Sequence, residues 1–157
     1  MNELRASVVE ETTQYIVIKI GVEQYGIDIK YVDNIVRMQR ITRVPKAQPY
    51  FKGVINLRGE IMPVMSIRLK FNLDDDEITK KSRIIIIKTE QQALVGIIVD
   101  EVKEVVTLME DQVEKVAYEY GKDDLNSYLI GVGKSNNELI SLLNINGVIS
   151  EQEKGDN

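Results

Sequence analysis

The chain states one pattern twice, and this restricts it to folds in which two copies of a small unit pack against each other. At an offset of 70, Gly26-Ile-Asp-Ile-Lys-Tyr-Val-Asp-Asn-Ile-Val36 lies over Gly96-Ile-Ile-Val-Asp-Glu-Val-Lys-Glu-Val-Val106, matching the glycine and the apolar positions. At an offset of 78, Tyr50 falls on Tyr128, Gly53-Val54 on Gly131-Val132 and Glu60 on Glu138. In the same frame Ile61, Met62, Val64, Met65 and Ile67 fall on Leu139, Ile140, Leu142, Leu143 and Ile145. The offset grows by eight because the second copy has a longer loop, around 111–126.

The side chains say what each copy is made of. Ile and Val number 39 against 15 for Leu plus Ala, and β-branched residues are stiff at χ1 and suit a pleated surface. The fold is therefore expected to be mainly β. Residues 15–20 and 25–29 read as a hairpin, 53–65 as two strands folded about Arg58-Gly59, and 84–87, 93–99 and 100–106 as further strands. Residues 128–133 and 139–143 form a last hairpin. Pro63 cannot donate to a ladder, so its strand is expected at an edge or a bulge. Val32, Ile35 and Val36 have the spacing of one helical turn within 30–37. Five short strands and a turn per copy suggest a closed or nearly closed small barrel, since closure removes exposed edges. Two such units should share an apolar seam, with the groove between them as the natural binding surface.

Little catalytic equipment is present. The chain of 157 residues has no His and no Cys, which excludes imidazole-assisted and thiol mechanisms and any thiolate metal site. The net charge of −5, with basic residues read as scattered, argues against attraction to nucleic acid or an anionic membrane. No apolar run approaches the roughly 18 residues of a spanning helix, and no signal-peptide core follows Met1. A cytoplasmic protein is expected, complete from Met1 to its charged tail, with flexible ends at 1–13 and 151–157. Asp74 to Glu77 read as a solvated connector between a subdomain 14–73 and a subdomain 82–150. That run lacks the glycine and terminal glutamate of an EF-hand loop. Asp100-Glu101 is the other carboxylate cluster, and adjacent residues on a strand or turn point apart. No catalytic residue, cofactor or metal is expected. Gly59 serves the turn, but nothing in the turn requires Arg58 beside it.

The run Tyr25-Gly-Ile-Asp-Ile-Lys-Tyr-Val-Asp-Asn-Ile35, then Val44-Pro45 and Pro49-Tyr-Phe-Lys-Gly-Val-Ile-Asn-Leu-Arg-Gly-Glu-Ile-Met-Pro-Val64, resembles the CheW family of bacterial chemotaxis coupling proteins. The likeness runs from about Gln14 to Ser150. It implies two intertwined five-stranded Src-homology-3-like barrels from an internal duplication, forming one domain over 14–150 with exchange of strands between its halves. It also implies an adaptor without enzymatic activity. Such a protein joins the regulatory domain of the histidine kinase CheA to the cytoplasmic tips of methyl-accepting chemotaxis receptors. It is monomeric when free and is recruited to membrane-associated arrays without inserting into the membrane. The resemblance places Ile29, Val32, Asn34, Ile35 and Arg58 in the receptor-facing groove, with Val32 the residue best placed for exposure and Ile29 and Ile35 open to a core reading. Val44, Pro45, Pro49 and Tyr50 form a loop on which the kinase could dock, or which simply packs. Two departures stand out: Asn34 where many members have Glu, and Ser66 where an acidic or amide residue is common. The alternatives are an unrelated peptide-binding adaptor and a small enzyme using Asp33, Asp100 or Glu101.

Overall fold

Four consecutive buried isoleucines, Ile84 to Ile87, require apolar partners on both faces of their strand. The computed structural model, which describes residues 11–116 and 128–150, provides a separate core for each face. Ile84 and Ile86 join Ile55, Met62, Val64 and Ile98. Ile85 and Ile87 join a larger cluster with Ile16, Ile18, Ile27, Ile67, Ile97 and Ile145 among its members. A third cluster gathers Tyr15, Val17, Val106, Leu108, Ile140 and Leu142.

Among the described residues the strands are β1 Thr12–Ile20, β2 Glu23–Asp28, β3 Val32–Arg37, β4 Phe51–Leu57, β5 Glu60–Ser66, β6 Arg83–Lys88, β7 Leu94–Val99, β8 Glu101–Met109, β9 Val113–Lys115, β10 Leu129–Ser135 and β11 Glu138–Leu143. They form two sheets, ordered β8-β1-β2-β11-β10-β9 and β3-β6-β7-β5-β4. The first five strands of the six-stranded sheet correspond in order to the five of the other, and each sheet draws on both halves of the sequence. The β1-β2 hairpin sits between β8 and β11, while the β6-β7 hairpin sits between β3 and β5. Each crossover is a parallel pair opposite one of the matched glycines, Leu142 against Gly26 and Val64 against Gly96. A Cβ at Gly26 would lie 2.9 Å from Leu142 Cδ2, and one at Gly96 2.8 Å from Ile84 Cγ2. The glycines let the strands approach this closely.

The molecule is mainly β, as expected, but the hydrogen-bonded ladders do not close into barrels. The second sheet ends at β3 and β4. Between those edges Val36, Met38, Ile41 and Leu57 pack onto one core, so side chains cover part of what the ladder leaves open. The chain then bridges Thr42 to Val54, with bonds of 2.9 and 2.8 Å. In the other sheet β9 does the same at full strand length, placing Glu114 opposite Val132. The longer loop credited with the change of offset lies partly outside the described residues.

Two local expectations are corrected. The stretch 30–37 is not a helical turn: a 3-10 turn covers Ile29–Tyr31 and β3 follows. The three-residue spacing arises because the apolar Ile35 lies on the exposed face of β3 while Val32, Asn34 and Val36 share the half-buried one, so a strand mimics a helical repeat. The helical turns fall instead at Ile67–Lys70 and Ile145–Ile149. They are matched across the repeat, with Ser66 Oγ accepting from Leu69 N–H and Asn144 Oδ1 from Gly147 N–H. Side-chain acceptors at this position satisfy a free N–H of the first turn, which gives Ser66 the structural role that the family comparison left open. β5 is interior, yet Pro63 is tolerated because the pairing with β7 begins one residue later, at Val64.

The seam between the halves is filled by the large central cluster, whose buried members are at most 5% exposed. Among the described residues this cluster leaves no groove at the seam, and the candidates Ile29, Ile35 and Val44 lie on the outside.

Candidate functional site

The receptor-facing candidates occupy the end of β2, β3 and the β4-β5 turn. On β3 the alternation of half-buried Val32, Asn34 and Val36 with exposed Asp33, Ile35 and Arg37 follows the strand period. Ile29 and Ile35 are 38% and 36% exposed, whereas Val32 packs against the central cluster. This reverses the sequence reading of exposure, which rested on a helical turn that does not form. Ile29 borders a shallow depression lined by Thr12, Gln14, Asp28, Lys30 and Thr107. Asn34 Oδ1 accepts from Ile35 N–H at 2.9 Å, so its amide oxygen is engaged with the backbone.

The Asn-Leu-Arg-Gly turn divides its work residue by residue. Asn56 Oδ1 accepts from Gly59 N–H at 3.0 Å and braces the turn, and Leu57 packs into the adjacent core. Arg58 and Gly59 both have positive φ, 57° and 85°, the backbone of a type I′ hairpin. The matching turn in the second half carries Asn136 and Asn137 at 53° and 66°. Asn tolerates this left-handed conformation far better than Arg does. The exposed Arg58 thus sits where a cheaper residue is used elsewhere in the same fold.

The loop candidates separate. Val44, 45% exposed, and Pro45 and Pro49 face solvent. Tyr50 packs on the central cluster, lies beneath Lys70 Nζ at 4.1 Å, and receives a 2.7 Å bond from Ser66 N–H at its carbonyl. Tyr128 makes the same carbonyl contact with Asn144. Tyr50 is therefore a structural anchor of the repeat.

Charge is organised in two ways that the sequence reading missed. The acidic connector is not simply solvated: Lys52 Nζ holds Asp75 Oδ1 at 2.7 Å. Both oxygens of Asp76 are buried with no hydrogen-bond partner. Burial pushes the Asp76 carboxyl above its ordinary range, against smaller opposing effects from the Ser66 hydroxyl and Lys52. Nearby, Arg68 grips Asp100 through Nε at 3.0 Å and Nη2 at 2.6 Å, and Gly21 N–H donates to Asp100 at 2.7 Å. Burial alone would raise the Asp100 carboxyl, but these bonds outweigh it and hold it low. Asp100 is thus a cross-brace between the halves. Because Asp76 binds its proton more tightly folded than unfolded, its contribution to stability falls as pH rises through its folded pKa. Asp76→Asn should raise stability at neutral pH by roughly 1 kcal/mol, and the gain should vanish below the ordinary carboxylate range; urea titrations across pH measure it.

The basic residues are also not scattered. Residues 34–59 contain six of them, Arg37, Arg40, Arg43, Lys46, Lys52 and Arg58, and no acidic residue, while the rest of the chain has 14 basic and 25 acidic. Counting charge in windows rather than over the whole chain would have revealed this.

A two-sheet β fold in which the halves share strands, with an exposed Arg on a strained hairpin, defines a binding module. The CheW-like domain family matches residues 14–153, and the chain belongs to that family. The chemotaxis protein CheW of Bacillus subtilis is 37% identical over 87% of this chain and 86% of its own length. That of Helicobacter pylori is 32% identical over 90% and 84%. The crystal structure of the scaffolding protein TtCheW from Thermoanaerobacter tengcongensis superposes with a TM-score of 0.76 at 31% identity, covering 85% of this chain and 89% of that one. No helix among the described residues is long and apolar enough to cross a membrane.

Proposed function

We propose that this protein is a chemotaxis scaffold that couples methyl-accepting chemotaxis receptors to the histidine kinase CheA, without catalysis of its own. It works from the cytoplasm, recruited to receptor arrays, and is monomeric when free. Ile29, Val32, Asn34, Ile35 and Arg58 form the receptor side. Val44, Pro45 and Pro49 offer themselves to the kinase, while Tyr50 supports them from beneath. Ile29 and Ile35 present aliphatic side chains suited to a helix-in-groove contact.

The observation that carries this reading is the backbone of Arg58. A left-handed arginine costs on the order of 1 kcal/mol, and its guanidinium has no ion-pair partner among the described residues. A planar fork held out at this cost suits a carboxylate or carbonyl on a partner. Arg58→Asn should therefore raise folding stability by about 0.5–1 kcal/mol while weakening co-sedimentation with receptor-bearing membranes about tenfold. A variant that is stabilised and binds normally would remove Arg58 from the site, and failure of the native chain to sediment with receptor or kinase would overturn the coupling function. Asn34→Glu should leave folding intact and change receptor affinity, since it places a carboxylate beside this surface; unchanged binding in a pull-down excludes Asn34.

A further inference from the structure

The acid-free segment 34–59 is folded into one region of the second sheet. Arg37 ends β3, and the bridge from Thr42 to Val54 lays the chain around Arg40 and Arg43 antiparallel along the outer edge of β4. That register leads residue 40 toward Asn56 and the Arg58 turn. Arg37, Arg40, Arg43, Lys46 and Arg58 are all exposed, and none has a salt-bridge partner among the described residues. Lys52, by contrast, is neutralised by Asp75. Lys46 repeats the peculiarity of Arg58, with φ at 63°, so two of the five cations stand on left-handed backbone that other residues adopt more cheaply. Uncompensated like charge and local strain both oppose folding, and their coincidence on one strip points to a use.

We infer that this strip is a docking surface for an acidic protein segment, one whose carboxylates flank aliphatic side chains. Charge complementarity selects the acidic partner. The exposed Ile35, two residues before Arg37 on β3, and Val44, next to Arg43, select a protein over a nucleic acid. Bases need aromatic faces for stacking, but Tyr50 and Phe51 are half-buried and stacked on each other at 6.5 Å. A long polyanion would also meet the surplus of acids on the rest of the chain, whereas a short segment feels only charges within a screening length of about 8 Å. The strip joins the receptor and kinase faces proposed above, and which of those partners supplies the segment rests on that reading.

The full chain, labelled with ¹⁵N, is titrated with a synthetic helical peptide of alternating Glu and Leu pairs, about 14 residues long. Two controls accompany it: the same peptide with Gln for Glu, and oligo-dT of equal charge. Amide shifts should cluster at 35–46 and 56–60, and affinity should fall about tenfold from 50 to 300 mM salt. The triple variant Arg37→Gln/Arg40→Gln/Arg43→Gln should lose about tenfold in affinity while melting no lower than the native chain, since the removed charges oppose folding. Scattered shifts, equal binding of the Gln peptide, or equal binding of oligo-dT would overturn the assignment. Peptide binding without receptor or kinase co-sedimentation would sink the coupling proposal and leave the strip standing. Co-sedimentation without peptide binding, and unaffected by the triple variant, would do the reverse.

Discussion

Residues 1–80 expressed without the second half should show no cooperative unfolding transition, and residues 81–157 alone should behave likewise. In the first fragment β1 and β2 would lose β8 on one side and β11 on the other, while β3 would lose its sole ladder partner β6. The central cluster would lose Ile85, Ile87, Ile97, Val99, Leu143, Ile145 and Val148. Burying a large aliphatic side chain contributes roughly 1.5–3 kcal/mol, so losing seven matches or exceeds the roughly 5–15 kcal/mol by which whole domains are stable. Mixing the two fragments should restore native-like dispersion in an NMR spectrum, because the strands each lacks are those the other supplies. A dispersed spectrum from either fragment alone would show that the halves 14–73 and 82–150 are independent domains.

Gly53→Ala should destabilise the protein by about 3 kcal/mol, at the upper end for a point substitution. Gly53 has φ of 141°, and an added Cβ would fall directly onto the carbonyl of Thr42. That carbonyl accepts from Val54 N–H at 2.8 Å, so the methyl group both strains the backbone and pushes apart the bridge that carries 38–50 across β4. Gly59→Ala provides the comparison: its φ is 85° but nothing lies within 4 Å of the new atom, so backbone strain alone should cost about 1 kcal/mol. Urea midpoints for the two variants test the difference. Equal losses would mean that the Thr42 crossing contributes nothing beyond turn strain.

The central hairpins and the β4-β5 and β10-β11 hairpins were legible because alternation, turn glycines and β-branched runs are local signals. The Lys30–Arg37 stretch was misread because β3 turns the apolar Ile35 outward and the polar Asn34 inward, which inverts the alternation by which a strand is recognised. The short helices were missed because their only local signs were Ser66 and Asn144, single acceptors at repeat-matched positions. For the candidate site, the exposure of its residues was not legible: Val32 and Tyr50 turn inward, Ile29 and Ile35 outward. Asp76 was read as solvated since burial of a carboxylate depends on what folds over it.

What the sequence by itself determined was the duplication, the β class and the family, all carried by spacing and composition along the chain. Only the tertiary structure decided which half each strand serves. A strand's side-chain period says that it has two faces, and a glycine says that something comes close. The neighbour and the partner are chosen by which apolar surfaces can be buried together in space.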